Sequence, residues 1–191
     1  MSNETNFCRM YNLTVISRYQ EDLKWVDNLK TPVLIYNKGE YLEGVINIPN
    51  VGRESGTMLL YIIENYNNLP DNVTFLQGDP FYHFKHTIEF INDYNDSGKL
   101  VYLADFIPTD DINGEPNHGG LPIKKFLIDL GLDLHEFFRF SAGAQYIVPK
   151  SLIMSKSIEW WKTAYDIHQE NNISPWVFER IWPVIWSHKT D

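Results

Sequence analysis

The chain is short of cysteine, of positive charge and of long apolar runs, and each shortage excludes something. Cys8 is the only cysteine, so no disulfide can form within the chain. Lys and Arg number 16 against 25 Asp and Glu, a net charge of −9. That balance argues against a nucleic acid or an anionic membrane as the main partner. It also sets a condition: a phosphorylated ligand would need local Arg or Lys, a helix N-terminus or a divalent cation to offset repulsion. The apolar runs are too short to span a bilayer, so no membrane insertion is expected. The opening Met-Ser-Asn-Glu-Thr-Asn lacks the basic start and apolar centre of a secretory signal. With the lone cysteine, this sets the expectation of a cytoplasmic protein. Neither a Gly-x-x-x-x-Gly-Lys-Ser/Thr loop nor a Gly-x-Gly-x-x-Gly fingerprint occurs.

What is present suits a packed core. Hydrophobic residues make up 43% and aromatics 15% of 191 residues, enough for one domain. The reading is a single α/β domain over 1–191, with 1–10 a loose N-terminal segment. Leu13–Ser17 and Pro32–Tyr36 read as strands, and Gly44–Ile48 as a shorter one. Gln20–Leu29 lies between the first two and carries Leu23, Val26 and Leu29 at helical spacing. Met58, Leu59, Ile62, Ile63 and Tyr66 recur at helical spacing over 54–66, and a turn and the apolar run Val73–Leu76 follow. Helix, turn and buried strand make an α/β layout, in which ligands bind at the carboxyl ends of strands. Asp79 stands at such an end, which makes it the first place to look for chemistry.

The second half is less regular. Helices are expected over 83–94, 123–130, 158–171 and from Ser174-Pro175 onward, with strands over 99–103 and 142–148. The polar stretch 105–120 reads as a mobile loop, long enough to act as a lid. Its Asp111-Ile-Asn113-Gly114 fails as a calcium loop, because an acid is missing at Thr109 and a Glu at Gly120. His83 and His86 are read as surface residues. Trp160, Trp161, Trp176, Trp182 and Trp186 are read mostly as core.

Six short segments carry a resemblance as a set. They are Ile16-Ser-Arg18-Tyr19-Gln-Glu21-Asp22-Leu-x-Trp25, Tyr36-Asn37-Lys38-Gly39, Pro49-Asn-Val-Gly52-Arg53-Glu54, Phe75-Leu-Gln77-Gly78-Asp79-Pro80, Gly143-Ala-Gln145 and Pro175-Trp-Val-Phe-Glu179-Arg180-x-Trp182. Over almost its whole length the chain resembles an uncharacterised domain-of-unknown-function family. The layout is in turn similar to compact glycosyltransferases of the GT-A fold, with a central mixed, mainly parallel sheet flanked by helices. The resemblance implies transfer of a sugar from a nucleotide-sugar donor to a glycan or glycoprotein acceptor, assisted by Mn²⁺ or Mg²⁺. Gln77-Gly-Asp79 stands where that fold has Asp-x-Asp, with Gln77 replacing the first acid. The resemblance implies Asp79 and His188 as metal ligands. Arg18, Tyr19, Glu21, Asp22, Asn37, Lys38, Arg53 and Gln77 are implied on the donor side, and Gly143 and Gln145 on the acceptor side. Glu179 is the implied base of an inverting transfer, with Asp105 as its alternative.

Each candidate has an ordinary structural explanation beside the functional one. Asp79 suits a turn. Residues 18–22 suit a helix cap. Arg53 and Glu54 suit capping and a weak surface pair. Glu179 suits a buried ion pair with Arg180 or Arg53. A non-catalytic nucleotide- or sugar-binding domain, or an interaction domain built on the aromatic C-terminal helix, therefore stands beside the transferase.

Overall fold

The structure, a computed structural model, describes residues 11–187. The expectations placed on Cys8, on residues 1–10 and on His188 fall outside the described residues. Strands β1 (Asn12–Arg18), β2 (Val33–Asn37), β3 (Ile46–Asn47) and β4 (Asn72–Gln77) run parallel in one sheet. Helix α1 (Arg53–Asn65) joins β3 to β4. Helix α2 (Thr87–Asp93) and strand β5 (Val101–Tyr102) follow. Strand β6 (Thr109–Asp111), helix α3 (Ile123–Asp129) and strand β7 (Phe137–Arg139) come next. The remaining elements are β8 (Tyr146–Pro149), α4 (Lys150–Ile153), α5 (Ile158–Gln169) and α6 (Ser174–Trp186). The main sheet has the order β3-β2-β1-β4-β8-β5, and β6 and β7 form a separate antiparallel pair.

Alternation along the central strands explains why helices cover both faces. Val15, Val73, Phe75, Tyr146 and Val148 join the larger core, while Ile16, Leu76 and Ile147 join a smaller one. A parallel sheet buried on both faces needs apolar side chains in both directions, and these strands supply them. The larger core is roofed by α1, α5 and α6. There Trp182 stacks on Trp186 with centroids 5.0 Å apart, and Trp182 Nε1 donates to Ser55 Oγ at 3.0 Å. Trp161, Trp182 and Trp186 are fully buried, whereas Trp160 and Trp176 are half-buried.

Several elements differ from expectation for local reasons. Residues 20–29 hold only a short 3₁₀ turn, Lys24–Asn28. The residues before it are engaged in a loop, where Glu21 accepts from the Tyr19 and Gln20 amides and Arg18 reaches the Glu21 carbonyl. The helix expected from residue 83 starts at Thr87, because the His83 and Phe84 amides turn back onto the Pro80 carbonyl. The strand expected from Ala142 starts at Tyr146, since Gly143 (φ 73°) and Ala144 (φ 53°) leave the β region. The stretch expected as a mobile loop over 105–120 contains β6. Its turn is held by Asp111 Oδ1, which accepts from the Asn113 amide at 2.7 Å and the Glu115 amide at 3.0 Å.

Candidate functional site

The strand order reverses between β1 and β4, and a cleft opens where β1, β2 and β4 end. Such a reversal leaves a crevice at the carboxyl ends, because the connections diverge to opposite sides. Strand β8 is antiparallel to β4, with Phe75 opposite Tyr146, so the loop preceding β8 arrives at this same edge. The cleft has two lobes that share Arg53 and Glu54. The larger, about 350 Å³, is lined by Ser17, Arg18, Tyr19, Glu21, Lys38 and Asn50. The smaller, about 90 Å³, is lined by Ser55, Gln77, His83, Gly143, Ala144, Trp176 and Glu179, with Pro175.

The larger lobe gathers cations from three elements. Lys38 follows β2 and is only 6% exposed. Its Nζ donates to the Val51 carbonyl at 3.0 Å and to the Arg53 carbonyl. Burial lowers its pKa to about 8, with Glu54 acting against the shift and Arg53 adding to it. Arg18, at the end of β1, donates to the carbonyls of Tyr19 and Glu21 and to Asn37 Oδ1. Arg53 begins α1. The first intrahelical bond there runs from the Gly56 amide to the Gly52 carbonyl at 2.7 Å. The amides of residues 53–55 therefore lie at the open, electropositive end of the helix.

The smaller lobe gathers acids and a histidine. Glu179 sits on α6 with its side chain 21% exposed. Its Oε1 accepts from the Gly143 amide at 2.6 Å, and Oε2 accepts from Arg180 Nη1. Burial raises its pKa, and Arg180 and the Gly143 amide pull against that rise. Arg180, 4% exposed, also donates to the wholly buried Asp110 at 2.9 Å. Across the lobe, burial lowers the pKa of His83, with Glu54 and Asp79 opposing. A neutral imidazole therefore faces the cavity near pH 7. Pro183, within α6, has no amide hydrogen to give the Glu179 carbonyl four residues earlier.

Backbone strain concentrates in this place. Among the described residues the non-glycine residues with positive φ are Arg53 (46°) and Ala144 (53°), and both line the smaller lobe. Such conformations cost about 1–3 kcal/mol each and persist where the surroundings enforce them, which is common at binding sites.

The expected site residues divide cleanly. Arg18, Tyr19, Glu21, Lys38, Arg53, Gln77, Gly143 and Glu179 all line the cleft. Asn37 is wholly buried behind it and holds Arg18, Asn47 and the Glu40 carbonyl in place. Gln145 is buried as well, with Nε2 donating to the Leu103 carbonyl at 3.2 Å. Asp22 is exposed, caps the Lys24 amide and pairs with the Lys24 ammonium at 3.4 Å. Asp105 is exposed and accepts from the Lys85 amide at 3.1 Å. Asp79 is exposed, and its Oδ1 accepts from the Phe81 amide at 3.2 Å in a turn around Pro80. Glu54, His83 and Trp176 join the site without having been singled out for it. The signal for His83 was its place four residues beyond Asp79, just past the end of β4.

A divalent ion does not fit the donor set found here. Among the described residues no group of three or more His, Cys, Asp or Glu side chains is placed to hold a metal. Asp79 has its carboxylate in a turn and borders neither lobe. One exposed carboxylate is a poor anchor for Mg²⁺ or Mn²⁺, which prefer several oxygen ligands.

Residues 13–103, slightly less than half of the chain, match a family described as a protein of unknown function (DUF3431). The matched segment contains the cations of the larger lobe, Gln77 and His83, but neither Gly143 nor Glu179. No curated protein and no solved structure matches the chain.

Proposed function

We propose that the chain is a compact glycosyltransferase, similar to the GT-A enzymes, that moves a sugar from a nucleotide-sugar to a hydroxyl acceptor. The observation that carries this reading is the pairing of the two lobes across Arg53 and Glu54. One lobe is lined by cations and an exposed aromatic, Tyr19, and the other holds the half-buried Glu179 carboxylate. The larger lobe suits a nucleoside diphosphate in size and chemistry. Tyr19 would stack on the base, and Arg18, Lys38 and Arg53 would face the phosphates.

The reacting centre would then lie in the smaller lobe. The acceptor oxygen attacks the anomeric carbon, and the bond from that carbon to the diphosphate oxygen breaks. The electron pair leaves with the nucleoside diphosphate, and the acceptor proton passes to Glu179. Attack opposite the leaving group inverts the anomeric centre. A base raised by burial is suited to taking that proton near neutral pH. No step here runs through a metal ion.

Glu179→Gln tests the assignment. Release of nucleoside diphosphate from the correct donor should fall by about a hundredfold or more. The thermal shift given by the donor should persist, which shows that the cleft is intact. Undiminished turnover in this variant would remove Glu179 from the mechanism. One observation favours a second reading, binding without catalysis: the Glu179 carboxylate is already held by Arg180 and the Gly143 amide. In that case the donor binds, no transfer occurs with any acceptor, and Glu179→Gln changes neither.

A further inference from the structure

Two cations that line the larger lobe bond to no carboxylate, although Glu54 lies near enough to Lys38 to favour its charge. Lys38 bonds to two main-chain carbonyls, and Arg18 bonds to two carbonyls and one amide oxygen. All of these acceptors are neutral. Among the described residues neither cation has a carboxylate within ion-pair distance. The acids of the same lobe are engaged elsewhere. Glu21 accepts from the Tyr19 amide at 2.7 Å and the Gln20 amide at 3.1 Å, and Glu54 lies 3.6 Å from Arg53 Nε.

Arg180 shows the contrasting case. It is as buried as Lys38 and is matched by two carboxylates, Asp110 and Glu179. Buried charges are ordinarily paired, because an unpaired one forfeits its hydration with nothing in return. Lys38 is buried beside a cavity of about 350 Å³ and bonds to no acid. An anion entering that cavity would supply the bonded partner that Lys38 lacks.

We propose that this lobe binds the donor's diphosphate directly, through Arg18, Lys38, Arg53 and the open end of α1, without a divalent metal ion. The identity of the anion rests on the glycosyl-transfer reading. The anion site itself rests on the cations without a bonded carboxylate and on the cavity they line; among the described residues no metal-holding group surrounds Asp79. A phosphate beside Lys38 also changes its protonation. The charged and titratable groups around it are Arg53 and Glu54 of α1 and His168 of α5. With pKa held at about 8 in the free protein, an arriving anion favours the ammonium. At pH 8 binding should draw a fraction of a proton onto Lys38, read as the difference in uptake between the protein and Lys38→Met because the phosphates titrate too.

The test is calorimetry with inorganic pyrophosphate and with nucleoside diphosphates, in excess EDTA and then in Mn²⁺. The heats are measured in two buffers of different ionisation enthalpy. The expected result is binding in EDTA within about twofold of that in Mn²⁺, with proton uptake at pH 8. Lys38→Met should lower the uptake and weaken binding about tenfold or more, the scale of one charge-assisted contact. Arg53→Ala should weaken it too and, lying at an exposed position, serves if Lys38→Met fails to fold. Binding only with Mn²⁺ would overturn the inference and leave the glycosyl-transfer reading standing. Binding in EDTA that ignores both variants would overturn the site assignment. No binding of any diphosphate under either condition would remove this inference and the transferase reading together.

Discussion

Gly39 and Gly78 stand where a side chain has no room. A β-carbon on Gly39 would lie 1.7 Å from the Tyr19 carbonyl oxygen, and one on Gly78 would lie 2.4 Å from Glu21 Oε2. The loop after β2 is thus pressed onto the main chain of the loop after β1, and the loop after β4 onto the Glu21 side chain, which fixes the wall of the larger lobe. His168 works from behind the same wall. It is 2% exposed, its Nε2 is 3.0 Å from the Gly52 carbonyl, and its Nδ1 is 2.7 Å from Ser174 Oγ. Burial, aided by Lys38, holds its pKa down at about 4, although the Gly52 contact favours the proton. An unfolded histidine gains a proton near pH 6.5. Between pH 6.5 and about 4 the unfolded chain therefore binds more protons than the folded one, and stability rises with pH across that window. The contribution is complete above pH 6.5, and about 3 kcal/mol should be lost on going down to pH 4. Urea titrations at pH 7, 5.5 and 4.5 measure it. His168→Gln should flatten the profile, and an unchanged slope in that variant would assign the effect to other groups.

At the scale of elements, α6 and the β6–β7 pair form one unit. Arg180 reaches from α6 to Asp110 in β6, and its guanidinium lies 4.4 Å from the centre of the Phe140 ring. Asp110 also accepts from the Asn117 amide and side chain at 3.0 and 2.6 Å. The β6–β7 pair thereby holds Arg180, and Arg180 holds Glu179. Removing one side of a buried pair leaves a charge without water or partner, which costs about 3–5 kcal/mol. Asp110→Ala should lose that much in chemical denaturation, and the double change Asp110→Leu with Arg180→Met should recover most of it. A loss below about 1 kcal/mol from Asp110→Ala would show that this ion pair is not what ties β6 and β7 to α6.

At the scale of the whole molecule, the two lobes come from different parts of the chain. The segment matching the family of unknown function supplies β1 to β5 and the cations, but β8, α5 and α6 lie beyond it. Without β8 the edge of β4 is bare, and without α5 and α6 the larger core loses Trp161, Trp182 and Trp186. A fragment spanning 11–105 should therefore give the circular dichroism of an unfolded chain. A cooperative melt from it would mean that the matched segment is a domain in its own right. The same division explains what the sequence made legible. Strands with period-two or continuous apolar runs, and helices such as α1 and α6 with apolar stripes, were readable because those signals are local. Lys38, Arg53 and Glu179 could be named because they stand at element ends or in an aromatic face. The β6–β7 pair was not readable, since its two short strands meet through distant partners. Asp79 follows the end of β4 as expected, and the turn around Pro80 holds its carboxylate on the Phe81 amide, so that it lines neither lobe. His83 entered the cleft through that same turn, which no periodicity could announce.

Arg53 is both a cation of the larger lobe and a residue held in a left-handed conformation that glycine would adopt without cost. Those two properties set different kinds of selection against one another. Pressure for heat resistance alone would drive position 53 toward glycine, which relieves the backbone and discards the charge. Pressure for ligand affinity would retain arginine despite the conformational penalty. The chain carries the strained, charged choice at the point where its two lobes meet.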